Sequence, residues 1–155
     1  WDPSLHPPTS IKDMLIDISN YSTDTIVITG GEPLMWNLQK LTNALQKEGK
    51  QVHLETSGAY PITGTFDWVC LSPKKMELPK DEIRLLANEL KIIIQNKHDL
   101  IWAEQQSLRV NKSCKLFLQP EWSKKEKVTP MIIEYIKKNT KWTISLQSHK
   151  YMNIP

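Results

Sequence analysis

Cysteine is scarce in this sequence, with two residues among 155. Cys70 and Cys114 lie far apart in apolar surroundings, and neither belongs to a CxxC pair or to another spacing typical of metal ligands. This pattern argues against a metal site built from neighbouring cysteines. Both side chains are expected as small residues of the core.

Long hydrophobic runs are also missing. No apolar stretch approaches the roughly 20 residues that span a bilayer, and no basic segment followed by an apolar region opens the sequence. The formal net charge is +3, and the lysines are scattered or stand in short groups. We therefore predict a cytoplasmic protein whose partners include neither a membrane nor a nucleic acid.

What the sequence does contain is an alternation of strand-like and helix-like segments, in a chain long enough for one domain over residues 1–155. Apolar and β-branched runs predict strands over 25–29, 51–55, 67–72, 90–94, 114–118 and 142–146. Helices are predicted over 10–19, 37–48, from Pro79 to about 88, over 98–106, and from Thr129-Pro130 onward. Continuous apolar strands with helical crossovers predict an α/β fold, a parallel sheet or barrel covered on both faces.

Ligands in such folds meet the carboxyl ends of the strands, so these ends are where chemistry is expected. In order they read TGGEP, ETSG, LSPKK, LQPEW and SLQSHK. Gly30 and Gly31 leave backbone N–H and C=O groups uncovered, and a ligand with amino and carboxylate groups could pair with them. A turn from strand to helix would use the same glycines.

The other strand ends also suit either a ligand or a turn. ETSG offers a carboxylate and two hydroxyls, which match a ribose or an amino-acid head group. SPK offers a cation that could hold a carboxylate, and QPEW offers an aromatic face for a purine. Each has an ordinary explanation by itself, but their shared position on one rim favours a ligand site.

GGEP, ETSG and SPK, each placed after a strand, resemble the radical S-adenosylmethionine (SAM) enzymes. Together with ELK, FLQP and SLQSHK before a terminal proline, they resemble the 7-carboxy-7-deazaguanine synthase family over essentially the whole chain. The resemblance implies a partial (β/α) barrel, a homodimer, and three cofactors: SAM, a [4Fe–4S] cluster and Mg²⁺. A flavodoxin or ferredoxin would act as the reductase.

The activity that the resemblance implies is the conversion of 6-carboxy-5,6,7,8-tetrahydropterin to 7-carboxy-7-deazaguanine in queuosine or deazapurine biosynthesis. A 5′-deoxyadenosyl radical from SAM would start this reaction. By position, SAM would contact residues of four strand ends, namely Gly31, Ser57, Ser72, Pro73, Lys74, Gln119, Pro120, Glu121 and Trp122. The pterin would contact Thr29 and the free carboxylate of Pro155, which suits the donor edge of an aminopyrimidinone.

The cluster ligands are where the sequence departs from the family. The family holds its cluster with three cysteines in a loop after the first strand, and Cys70 and Cys114 lie in the wrong elements to supply them. WD and HPP near the start are similar to the segment that follows this loop. We therefore expect a fragment that lacks the first strand, the cluster loop and the usual Mg²⁺ position, holds no metal, and is inactive by itself.

Two alternatives stay open. A radical SAM activating enzyme, which installs a glycyl radical on a partner protein, shares GGEP with this chain. A SAM- or nucleotide-binding domain without catalysis is the other, because the cluster cysteines are missing.

Overall fold

Six parallel strands form one sheet, and their order in space is their order in the chain. The structure is a computed structural model that describes residues 8 to 154. The strands are β1 Thr25–Ile28, β2 Gln51–Thr56, β3 Trp68–Leu71, β4 Glu89–Ile94, β5 Lys115–Pro120 and β6 Trp142–Ile144. Each crossover advances by one strand, which is the order found in the wall of a (β/α) barrel. The predicted α/β fold with a parallel sheet is confirmed.

Helices connect the strands except between β2 and β3, and most lie within a few residues of their predicted bounds. They are α1 Ile11–Ser19, α2 Gln39–Lys47, α3 Asp81–Leu86, α4 Lys97–Ser107, α5 Lys125–Lys138 and α6 Ser148–Tyr151, with 3₁₀ turns at Pro33–Met35 and Trp122–Lys124. Ser10 caps α1, and Gly49 follows α2 with a φ of 72°. None of the helices between residues 8 and 154 is long and apolar enough to cross a bilayer.

The predicted start of α5 at Thr129-Pro130 is wrong. The helix begins at Lys125, directly after the 3₁₀ turn, and Pro130 lies inside it. Proline in a helix interior removes one backbone hydrogen bond. The helix continues through it because Val128 and Ile132, one turn apart, are both buried against the sheet.

One face of the sheet packs against the helices and forms the core. Alternate residues of the strands are buried on this face, as in β4, where the even-numbered residues are fully buried and the odd-numbered ones are not. They pack with apolar side chains of the helices, including Ile83, Ala103 and Ile132. Cys70 and Cys114 are both buried, as predicted, and Cys114 belongs to this core, whereas Cys70 lies on the opposite face, where its Sγ donates to Glu89 Oε1 across 3.4 Å.

The other face of the sheet is only half-buried, so the prediction of cover on both faces does not hold for the described residues. His53 and Glu55 lie on this face in β2, and Lys91 lies on it in β4, so none of them is on an edge strand of the sheet. The error has a simple cause: LKIII reads as continuously apolar, but its second residue is the lysine that points away from the helices. This open face continues into the rim formed by the strand ends.

Candidate functional site

The carboxyl ends of all six strands lie along one edge of the sheet, and hydrogen bonds join neighbouring ends. The Ser72 amide donates to Thr56 O across 2.8 Å, and the Glu121 amide donates to Ile94 O across 2.9 Å. The Ser145 amide donates to Leu118 O, also across 2.9 Å. The structure therefore brings the five predicted strand ends onto one rim.

A sixth strand end, after β4, completes this rim and was not singled out in the sequence. Gln95 and Asn96 follow Ile94 here, and Lys124 donates to Gln95 Oε1 across 3.2 Å. The sequence did carry a signal for the start of a helix here, because Asn96 and Asp99 have the spacing of a capping box. In the structure both residues form this box at the start of α4.

The two glycines of the first strand end have the conformation and the free space that a bound ligand needs. Gly30 and Gly31 have φ values of 89° and 55°, and a Cβ added to either would meet no other atom within 4 Å. The positive φ explains the turn. The open space beside both residues fits a ligand that approaches the backbone.

Gly58 of ETSG, in contrast, is a glycine for reasons of packing. Its φ is 78°, and an added Cβ would lie 2.7 Å from Leu71 Cδ1 and 2.8 Å from Pro79 Cβ. Gly58 therefore allows the second strand end to pack closely over the core. Its role is in packing, and not in a flexible contact with a ligand.

Glu32 ties the first strand end to the second. Its carboxylate accepts hydrogen bonds from the Thr56 hydroxyl at 2.5 Å, the Ser57 amide at 2.7 Å and the Leu34 amide at 3.1 Å, and also from the Ser57 hydroxyl. Burial opposes its ionisation, but these donors outweigh burial and lower the pKa of Glu32. Sequence reasoning gave Glu32 no specific role.

A cavity of about 390 Å³ opens between the third strand end and the start of α4. Pro73 and Lys74, two predicted SAM contacts, line it together with Gln95, Asn96 and Trp102. Its wall is held by an ion pair between Lys75 and Asp99. Burial opposes ionisation of Asp99, but Lys75 and the amides of Gln95 and Asn96 lower its pKa.

The fifth strand end is partly buried and faces the sixth. Gln119 and Pro120 are buried, and the Ser145 hydroxyl donates to Gln119 Oε1 across 3.3 Å. Glu121 accepts from the amide and the hydroxyl of Ser123 and so begins the 3₁₀ turn. The Trp122 ring packs edge-on against Tyr151, with 5.0 Å between the ring centroids.

The remaining predicted contacts divide between the rim and the chain end. Thr29 is exposed directly after β1, and Ser57 bonds to Glu32 as described. Pro155 lies outside the described residues.

The open face beside the rim carries a charged pair that the strand-end analysis did not include. Lys91 Nζ lies 2.6 Å from Glu55 Oε1, with 12% of the Lys91 side chain exposed. Burial disfavours the charged form of Lys91, yet the acidic groups around it, Cys70, Glu55 and Glu89, together outweigh burial and raise its pKa. The lysine is therefore an ammonium at neutral pH, and it gives this face a polar centre.

The residues that the structure describes do not fit an iron–sulfur cluster. Within residues 8–154 no group of three His, Cys, Asp or Glu side chains could hold a metal ion. Both cysteines are buried, and burial raises the pKa of the Cys70 thiol strongly and that of Cys114 to about 11. Thiolates are the form that binds iron, and neither cysteine favours it.

A sheet with the strand order of a barrel wall, a continuous polar rim and an uncovered polar face is the architecture of a partial (β/α) barrel. A 7-carboxy-7-deazaguanine synthase of Flavobacterium psychrophilum is 56% identical over the full chain, which covers 73% of that protein. The protein of the same name from Synechocystis sp. is 43% identical over 99% of the chain, which covers 74% of that protein. No family model matches the chain.

The fold comparison agrees with these relatives. The crystal structure of QueE from Escherichia coli superimposes with a TM-score of 0.79 and 30% identity, covering 90% of this chain and 64% of that one. This chain belongs to the 7-carboxy-7-deazaguanine synthase family.

Proposed function

We propose that this chain forms the SAM- and pterin-binding part of an enzyme that converts 6-carboxy-5,6,7,8-tetrahydropterin to 7-carboxy-7-deazaguanine, with loss of ammonia. The observation that carries this proposal is the single rim, where predicted ligand contacts from four strand ends border an open polar face. The family membership supports the synthase over a glycyl-radical activating enzyme.

SAM has a suitable set of contacts on the rim. The uncovered backbone of Gly31 suits its amino and carboxylate groups, and the exposed Lys74 supplies a cation beside the cavity. The other proposed contacts are those predicted from the sequence: Ser57, Ser72, Pro73, Gln119, Pro120, Glu121 and Trp122. The bond network around Glu32 keeps Gly31 and Ser57 in a fixed relation.

The pterin would contact Thr29 and the carboxylate of Pro155. The pair formed by Glu55 and Lys91 makes the adjoining face polar, which suits a heteroaromatic ring with donor and acceptor edges. SAM together with a reduced cluster would supply the radical that removes a hydrogen atom from the substrate. The contribution of this chain is to bind and orient both ligands and to exclude water.

We also propose that the cluster ligands and the Mg²⁺ position come from outside these 155 residues. We further propose that the protein is a homodimer in the cytoplasm and that a flavodoxin or ferredoxin is its electron donor.

Anaerobic reconstitution of the chain, followed by iron analysis and visible absorbance, should give far less than one cluster per chain. A double variant, Cys70→Ser with Cys114→Ser, should retain the same residual iron. One stoichiometric cluster that the double variant loses would contradict this part.

The activity is tested with the cluster-loaded enzyme, SAM and the pterin, with mass spectrometry of the products. We expect 7-carboxy-7-deazaguanine to form. Deletion of Pro155 should raise KM for the pterin or lower turnover while SAM cleavage is largely kept. Unchanged kinetics would remove Pro155 from the site, and SAM binding without any product would favour the non-catalytic binding domain.

A further inference from the structure

The loop after β3 carries two consecutive lysines, and the structure gives them different surroundings. Lys74 is exposed beside the cavity, and no ion pair within residues 8–154 includes it. Lys75 Nζ donates to the Asp99 carboxylate and lies 5.6 Å from the centroid of the Trp102 ring. One lysine is therefore held by the protein, and the other is available to a ligand.

The Lys75 side chain is the one polar tether of this loop among residues 8–154. The Ser72 and Lys80 amides each donate across 2.8 Å to the second strand end, at the beginning and at the end of the loop. Between them, residues 73–79 make no hydrogen bond with the described part of the chain except that of Lys75. Residues 74–78 are all exposed, so packing contributes little to fixing them.

Asp99 is a rigid partner for this tether. Its side chain is only 3% exposed, and its carboxylate also accepts from the Gln95 amide at 2.7 Å and the Asn96 amide at 3.0 Å. These bonds fix the carboxylate at the start of α4, so Lys75 attaches the third strand end to the fourth. Asp99 borders the same cavity as Lys74. Without Lys75, its carboxylate would compete with a ligand for the Lys74 ammonium.

We propose that Lys75 and Asp99 are positioning residues for SAM, which anchor the loop after β3 so that the Lys74 ammonium faces the SAM carboxylate. This inference rests on the proposed function, in which Lys74 supplies a cation for SAM. The anchor removes conformational freedom from the loop before SAM binds, and it keeps Asp99 from drawing Lys74 away. Lys75 thus acts through Lys74 and not by contact with SAM.

The test compares the affinity for SAM with that for 5′-methylthioadenosine, which has the adenosine part of SAM and lacks its amino-acid part. Both Kd values are measured with the cluster-loaded enzyme in the absence of a reductant, so that SAM is not cleaved. We expect Lys75→Met to raise the Kd of SAM about five- to thirtyfold and to leave that of 5′-methylthioadenosine within about twofold of wild type. Asp99→Asn, which keeps an acceptor for the two amides but not the charge, should behave in the same way.

Two control variants keep either the tether or the loop unchanged. Lys75→Arg can still pair with Asp99, and Lys97→Met removes an exposed lysine at the start of α4 that has no part in the tether. Both should bind SAM within about twofold of wild type. In the isotope-labelled chain without SAM, the backbone order parameters of residues 74–78 should fall in Lys75→Met and not in Lys75→Arg.

A double-mutant cycle with Lys74→Met separates positioning from contact. Because Lys75 acts through Lys74, the variant with both substitutions should bind SAM no more weakly than Lys74→Met alone. Effects that add in full would contradict the positioning role. So would a loss of 5′-methylthioadenosine affinity in Lys75→Met as large as the loss for SAM.

Lys74→Met also distinguishes this inference from the proposed function. If Lys75→Met binds SAM like wild type while Lys74→Met binds it more weakly, the positioning role is refuted and the SAM contact of Lys74 stands. If Lys74→Met also binds SAM like wild type, the contact of Lys74 fails and this inference fails with it. If the wild-type enzyme does not bind SAM, the proposed function itself fails.

Discussion

At the residue scale, three glycines with similar backbone angles serve different purposes. Gly30 and Gly31 face open space, whereas Gly58 is enclosed by Leu71 and Pro79. A side chain at Gly31 would extend into open space, and one at Gly58 would collide with the core. Only the folded structure separates these two cases, because the side chains around Gly58 come from distant parts of the sequence.

Glu32 accepts three hydrogen bonds from Thr56 and Ser57 of the second strand end and a fourth from Leu34 of its own turn, so its loss should loosen the rim. Glu32→Gln should lower the free energy of unfolding by about 1–2 kcal/mol at neutral pH, because an amide cannot accept from all four donors. Glu48→Gln, at an exposed position of the chain, should change it by less than about 0.5 kcal/mol. Urea denaturation measures both.

The pH dependence follows from the lowered pKa of Glu32. A depressed folded-state pKa contributes stability above the ordinary carboxyl pKa of 4.5 and loses it as the pH falls through the folded-state value. The difference between wild type and Glu32→Gln should therefore shrink in acid. A difference that persists unchanged in strong acid would mean that the carboxylate is not the group that joins the loops.

At the element scale, Glu104 on α4 joins three elements on the side away from the rim. Its carboxylate accepts from the Tyr135 hydroxyl of α5 at 2.6 Å and from the buried Trp142 indole of β6 at 2.7 Å. Lys141 Nζ lies 2.5 Å away. Burial opposes ionisation, but Lys141, Tyr135 and Trp142 together lower the pKa of Glu104.

Glu104→Ala should destabilise the protein by about 2 kcal/mol, because it leaves the buried indole N–H of Trp142 without its partner. Glu134→Ala removes a surface ion pair with Lys137, which solvent screens, and should shift the urea midpoint far less. Urea denaturation measures both losses of stability, and the midpoint of Glu104→Ala should fall further than that of Glu134→Ala. Equal midpoints would show that the Glu104 contacts contribute no more than a surface pair.

The sequence predicted most elements well, and its errors have identifiable reasons. The buried strands and the capped helices carry strong periodic signals. Thr129-Pro130 imitates a helix start, but the tertiary contacts of Val128 and Ile132 carry α5 through it. The four-residue α6 is too short to give a periodic signal, so it was visible only in three dimensions.

At the scale of the whole molecule, the strand ends were predictable because parallel strands all end at the same edge. The open face was not, since an apolar run such as LKIII does not say which of its sides the helices cover. The pair of Glu55 and Lys91 became visible only when β2 and β4 were placed in register with β3 between them. Rim and open face together are the site that we propose for SAM and the pterin.

The measurement that tests this account most directly is a SAM titration of the isotope-labelled chain, followed by NMR of the backbone amides. Saturable shifts should appear at the rim, around Gly31, Ser72 and Gln119, and not on the helices. Gly31→Ala should abolish them. Gly49→Ala imposes a similar backbone penalty away from the rim, with φ 72° and free space around the added Cβ, and should retain them. Shifts confined to other surfaces, or lost equally in both variants, would contradict a SAM site at the strand ends.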